Sequence, residues 1–209
     1  MITVVNYGAG NLRSVLNTLG EIGASYEVTA EAADVETADK IILPGVGHFG
    51  HMMSALDSLG LRKALIAKAR SRKPFLGICI GLQMLFEHSE EGDVAGLGVF
   101  AGNVRRFPDA RMVDANGQRL KVPHMGWNQV RQQPHALWAG IAADSRFYFV
   151  HSYGFVADDQ TDVLATTDYG IPVTAAVRRG HVWGTQFHPE KSSKAGAQLL
   201  RNFIVGHGC

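Results

Sequence analysis

The sequence predicts an α/β fold built on a mainly parallel sheet covered on both faces. Three observations carry that expectation. Short β-branched runs alternate with helix-period segments from residue 2 to about residue 87, strand-like segments crowd the stretch from about 97 to 190, and an amphipathic segment at 193 to 205 closes the chain. Strand, helix, strand, helix at these lengths is the pattern of a parallel sheet with helical crossovers.

The elements follow in chain order. "ITVVN" (2–6) is a β-branched run, and Asn11 can cap a helix that sets Leu12, Val15, Leu16 and Leu19 on one face. "SYEVT" and "KIILPG" read as strands. Met52, Met53, Leu56 and Leu59 make a second helical stripe, and "LRKALIAKARSRK" a third helix. The cations of that helix, Arg62, Lys63, Lys68, Arg70, Arg72 and Lys73, read as a solvated face. "PFLGI" is then a buried strand leading into Cys79, with Leu82, Leu85 and Phe86 starting another helix. Beyond it, "LGVFAGNVRRF", "GWNQV", "RFYFVHSYGFV", "VLATTDY", "IPVTAAVRR" and "HVWGTQFHPE" read as strands, and the closing helix turns Leu199, Leu200, Phe203 and Ile204 inward. No internal repeat, low-complexity stretch or linker interrupts the pattern, so one domain is expected over 1–209.

Composition removes several function classes. The 209 residues suffice for a core without staples, and 20 Lys plus Arg against 19 Asp plus Glu point to neither nucleic acid nor an anionic membrane. Cys79 and Cys209 are too few for a disulfide framework, and "MITVVNYGAGN" lacks a basic region followed by a signal-length apolar segment. With no apolar run near the roughly 20 residues of a membrane span, the expectation is a cytoplasmic protein.

The chemistry centres on "GICIG" (77–81), where an apolar strand changes to helix period at Cys79. That is the strand, turn, helix context of a nucleophile elbow with sulfur in place of oxygen. Gly77 and Gly81 lie beside the turn, where a Cβ would crowd neighbouring backbone, and the free N–H groups of the helix start favour a thiolate. A thiol needs a base and the base an orienting group. "TQFHPEKS" supplies both, because His188 and Glu190 lie two apart and on an extended backbone project to the same side, while Pro189 keeps His188 extended. Rival chemistries lack partners: H-x-E without a downstream P-C-x-x-C is not a zinc deaminase site, His48 and His51 have no third ligand, and "GAGNLR" puts Arg13 where a dinucleotide loop needs its third glycine.

Together "GICIGLQ" and "HPE" resemble the class I (triad) glutamine amidotransferases, and the resemblance runs over essentially the whole chain. "NYGAGN", "PGVGHFG" (44–50), "MGWN" (125–128) and "FVHSYGF" (149–155) are similar to the branch whose glutaminase subunit serves a separate cyclase. The resemblance implies a three-layer, flavodoxin-like sandwich with a mixed, mainly parallel central sheet, and a glutaminase without cofactor. Cys79 is then the nucleophile, His188 the base and Glu190 its orienting group. The oxyanion hole is implied to come from the backbone N–H of Ile80 and of Val46 or Gly47. Gln83, Glu91, His151, Ser152 and Tyr153 match positions that bind the glutamine head group. Flanking glycines make the peptide at Val46 a candidate switch. No acceptor site is evident in the remaining sequence, so ammonia has to leave, and the implied partner is a (β/α)₈ cyclase in a heterodimer that meets this chain at Lys191, Asn11 and Trp127. Two alternatives stay open: a triad subunit serving pyridoxal phosphate or purine synthesis, and an inactive binding module of the same fold.

Overall fold

The computed structural model describes residues 1–8 and 12–206, so Asn11 and Cys209 lie outside the described residues. The first half runs β1 (Ile2–Val5), α1 (Leu12–Glu21), β2 (Tyr26–Thr29), α2 (Ala32–Thr37), β3 (Ile41–Leu43), α3 (Phe49–Ser58), α4 (Leu61–Arg70), β4 (Phe75–Ile78) and α5 (Ile80–Gln83). The second half holds β5 (Phe86–Ser89), β6 (Val94–Ala95), β7 (Phe100–Arg106), β8 (His124–Gln129), β9 (Arg131–Gln132), β10 (Arg146–His151), β11 (Tyr153–Ala157), β12 (Val163–Asp168), β13 (Pro172–Arg179), β14 (Val182–Thr185) and α6 (Ser193–Val205).

The described residues form a mixed eight-stranded central sheet in the order β2-β1-β3-β4-β14-β13-β12-β9, with a four-stranded sheet β11-β7-β5-β6 and the pair β10-β8 beside it. From β2 to β14 the neighbours are parallel, and from β14 to β9 antiparallel. Strands β1, β3, β4 and β14 are buried along their whole length, as strands covered on both faces must be, and α1 packs with α6 and α2 with α4 around them. Three neighbours, β3, β4 and β14, end at Leu43, Ile78 and Thr185, and their carboxyl ends deliver residues 44–47, Cys79 and His188 to one edge of the sheet.

Several expectations are corrected. The helix after Cys79 is one turn long, and Phe86 begins β5 rather than continuing it. The carbonyls a longer helix would keep for itself are taken by the chain returning at 97–100: Met84 accepts from Leu97, Leu85 from Val99 and Phe100, and Phe86 from Gly98. Leu59 caps α3 and is exposed instead of joining its stripe. Helix α2 was not anticipated, yet Thr29 starts it locally by donating its hydroxyl to Asp34 (2.6 Å) and accepting from the Glu31 N–H (2.9 Å). "RFYFVHSYGFV" is two strands in different sheets, broken at Ser152.

The basic face of α4 is solvated except at Lys68. Arg62 pairs with Asp57 and Lys73, just past the helix, with Asp39, but Lys68 is buried and donates to the carbonyls of Glu36 and Ala38 at 2.7 Å each, closing the end of α2. Burial accordingly lowers its pKa. Lys68→Met leaves two buried carbonyls unpaired and is expected to cost about 2–3 kcal/mol in urea unfolding. Lys63→Met, on the exposed side of the same helix, should change stability by less than about 0.5 kcal/mol.

Candidate active site

Cys79 sits on a strained turn between β4 and α5, with φ 54° and ψ −111°. A non-glycine residue adopts such a backbone only when its surroundings enforce it. The enforcement is close packing. The Cys79 N–H donates to Thr185 O (2.7 Å) and its carbonyl accepts from Gln83 (3.0 Å), while a Cβ at Gly81 would lie 1.9 Å from Leu43 O and one at Gly77 2.8 Å from Gly81 O. The two glycines do what the sequence suggested: they let three strand ends and a helix start meet at the sulfur.

His188 and Glu190 meet as expected, with Nδ1 to Oε1 at 2.7 Å, but not across an extended strand. β14 stops at Thr185, and Pro189–Lys191 is a 3-10 turn that His188 precedes. The turn is clamped from three directions. The His188 N–H donates to Tyr148 O (2.9 Å), the Ser192 hydroxyl donates to His188 O (2.6 Å), and the Tyr148 N–H donates to that hydroxyl (2.9 Å). Helix α6 packs so closely that a Cβ at Gly196 would lie 1.9 Å from Pro189 O. With Nδ1 engaged by Glu190, the buried Nε2 is the nitrogen left for the Cys79 thiol, which lies close enough to interact with it. Burial opposes charge on His188, but Cys79 and then Glu190 outweigh it and raise the imidazole to about 10.

One cavity of about 280 Å³ gathers the remaining sequence candidates: Val46, Gly47 and Ile80 by the sulfur, then Gln83, Glu91, His151, Ser152 and Tyr153. Glu91 is fixed by the Phe49 N–H at the start of α3 (2.7 Å). The two glycines around Val46 turn out to be unlike. A Cβ at Gly45 would meet the Tyr7 hydroxyl, the Gly81 N and Ile80 within 3.0 Å, whereas at Gly47, with φ +117°, it would meet only the end of the Met52 side chain at 3.8 Å. Tyr7 further pins the loop by donating to Pro44 O (2.6 Å), so freedom to reorient is confined to the Gly47 side.

His151 lines the cavity with both ring nitrogens already used, and its partner His124 was missed from the sequence. Nδ1 of His151 donates to Tyr153 O (2.8 Å), Nε2 accepts from His124 Nδ1 (3.1 Å), and His124 Nε2 accepts from Asn128 (3.3 Å). Since a carbonyl only accepts, this order of donors holds for two neutral rings. Burial lowers His124 to about 4 and His151 to about 3. Gln186 was also missed as a functional group: buried within the quoted "TQFHPEKS", its Nε2 is 3.6 Å from Cys79 Sγ. The one signal available was its position directly after the last residue of β14.

Trp127 and Lys191 lie together on the surface. Trp127 is about half exposed on β8, two residues from the more exposed Met125, and packs its edge against Tyr148, over whose ring Lys191 Nζ sits at 5.8 Å.

A mixed, mainly parallel central sheet with this elbow and histidine–carboxylate pair has the form of a class I glutamine amidotransferase. The family model for glutamine amidotransferase class-I matches residues 3–206. The imidazole glycerol phosphate synthase subunit HisH of Dechloromonas aromatica is 56% identical over 205 residues, covering 97% of this chain and 95% of its own. The protein of the same name from Synechococcus elongatus is 50% identical, covering 98% and 92%. Among solved structures, that of PurLQS from Thermotoga maritima shares the fold at a TM-score of 0.73 with 16% identity, covering 98% of this chain and 97% of that one. The chain belongs to the class I glutamine amidotransferase family and, within it, to the group represented by the HisH subunits.

The histidines set opposing pH dependences. His124 and His151, depressed below 6.5, take up protons in the unfolded chain first, so each removes about 1.4 kcal/mol of stability per pH unit below that value until its folded pKa is reached. His188 works the other way: its contribution is present below 6.5 and is lost as pH rises toward about 10. His124→Phe keeps a ring against Phe149 and Tyr169 and should flatten the stability loss between about pH 6.5 and pH 4.5 by roughly one proton in urea midpoints. An unchanged slope would mean that His124 is already charged in the folded protein.

Proposed function

We propose that this chain is the glutaminase subunit of an imidazole glycerol phosphate synthase. It hydrolyses glutamine to glutamate and ammonia and passes the ammonia to a cyclase subunit. The observation that carries the reading is the identity of about half the residues to HisH subunits over nearly the whole of both chains. The other triad pathways and an inactive module are not favoured, since those relatives all bear one subunit name and His188 interacts with both Cys79 and Glu190.

In this reading Cys79 sulfur attacks the side-chain amide carbon of glutamine, and His188 holds the thiol proton and hands it to departing ammonia. Glu190 keeps the ring oriented through Nδ1. The developing oxyanion is taken by the N–H of Ile80, which is in the first helical turn and lacks an intrahelical acceptor, and by an N–H at Val46 or Gly47. Water then cleaves the γ-glutamyl thioester with His188 as base, releasing glutamate. Glu91 is the carboxylate suited to the substrate's ammonium group, with Gln83, Ser152 and Tyr153 completing the head-group site. His151 contributes by orienting the Tyr153 carbonyl, because its ring has no free donor.

Ammonia is consumed in a (β/α)₈ partner, where it converts a phosphoribosyl-carboxamide nucleotide to imidazole glycerol phosphate and an aminoimidazole carboxamide ribotide. Lys191 and Trp127 lie on the docking face of this chain; Asn11, named for the same face from the sequence, lies outside the described residues. The exposed ring of Trp127 and the cation beside Tyr148 are the kind of residues that dominate interfaces.

Glutamate release, measured for the chain alone, with the cyclase, and with the cyclase plus its nucleotide ligand, should be strongest in the complete mixture. Cys79→Ala is expected to abolish glutamine-dependent synthesis while the assembled enzyme still uses added ammonia; loss of both would assign Cys79 a structural role. Trp127→Ala should weaken cyclase binding about tenfold or more by calorimetry, and unchanged affinity would remove it from the interface.

A further inference from the structure

Gln186 has no part in the steps above, yet it is fully buried against the nucleophile. Its place follows from strand register. β4 and β14 run parallel with Ile78 opposite Thr185, so the next residue on each chain, Cys79 and Gln186, leaves the sheet at the same level. The orientation of its amide is forced by its neighbours. Tyr153 O can only accept, so Gln83 turns its Nε2 toward it (3.1 Å). That same Nε2 donates to Gln186 at 2.8 Å, which fixes Oε1 of Gln186 on that side and its Nε2 on the other, 3.6 Å from Cys79 Sγ. Tyr7 offers the sulfur no competing proton, because its hydroxyl donates to Pro44 O, and burial, with the charge of Cys79, keeps it protonated. His188 reaches the site from the 3-10 turn, with Glu190 behind it.

We propose that Gln186 is a further catalytic residue: its amide N–H holds the Cys79 sulfur and stabilises the thiolate, and its carbonyl, through Gln83, ties the sulfur to the Tyr153 end of the cavity. The inference rests on Cys79 being the nucleophile of a glutaminase. A hydrogen bond to a charged group contributes about 1.5–3 kcal/mol, enough to alter a rate roughly tenfold to a hundredfold.

The test uses the full chain and its complex with the cyclase subunit. Alkylation of Cys79 by iodoacetamide at neutral pH, followed by peptide mass mapping to separate it from Cys209, should slow about tenfold in Gln186→Leu and further in Gln186→Glu, which faces the thiolate with a carboxylate. In the stimulated complex kcat should fall about tenfold or more while KM for glutamine stays within about threefold. A folded Gln186→Leu with wild-type alkylation and kcat overturns the proposal. Should the variants fail to fold, the side-chain amide resonances of Gln186 in the ¹⁵N-labelled wild type decide it: they should shift when Cys79 is alkylated, and no shift overturns it. Silence of the wild-type complex toward glutamine would sink the glutaminase reading instead, since the alkylation comparison is made without glutamine.

Discussion

The parallel register between β4 and β14 is the constraint on which the site depends. With Ile78 opposite Thr185, the chain leaves two adjacent strands at one level, and the residues that follow, Cys79 on one side and Gln186 to His188 on the other, converge without a long loop between them. β3, the other neighbour of β4, ends at the same edge and supplies Pro44 to Gly47. A slip of one residue in β14 would turn its side chains to opposite faces and separate His188 from Cys79. The strain at Cys79 is tolerated because the sheet around it is fixed: its N–H is bonded to Thr185 O, and the glycines at 77 and 81 let neighbouring backbone close in on the turn.

Within this rigid frame, burial alone does not decide the charge of a histidine. His124, His151 and His188 are all nearly inaccessible, yet the first two are held neutral and the third is held charged. The difference lies in the partners. His124 and His151 face each other, a backbone carbonyl, an amide and aromatic rings, so desolvation prevails. His188 lies between Glu190 and Cys79, and their negative charge offsets the same penalty. One site therefore holds a neutral scaffold pair and an imidazolium a few residues apart in space.

The fold was legible where one period ruled a segment. The stripe at Leu12, Val15, Leu16 and Leu19 became α1, and 193–205 became α6 with the bounds expected of it. What escaped depended on distant chain. Leu82, Leu85 and Phe86 carry a helical spacing, but the segment at 97–100 captures the carbonyls that would extend it. The burial of Lys68 depends on the end of α2 packing over it, which no feature of "LRKALIAKARSRK" discloses. At the site, the meeting of Cys79, His188 and Glu190 was to be expected from the sequence because each belongs to a short motif with its own local chemistry. Gln186 and His124 were not, because an amide or an imidazole acquires a role only from the tertiary neighbour that fixes its donors.

Tyr148 joins the surface to this interior. Its ring lies against Trp127 and under Lys191, on the face assigned to the partner, while its backbone accepts from the His188 N–H and donates to Ser192, which in turn holds the His188 carbonyl. One residue thus has its side chain on the proposed docking face and its main chain on His188. A partner that displaced the Tyr148 ring would pull on the two hydrogen bonds by which the Tyr148 main chain holds the turn at His188. Catalytic geometry is sensitive to small misplacements, and in the proposed reading the main chain of this one residue joins the docking face to His188.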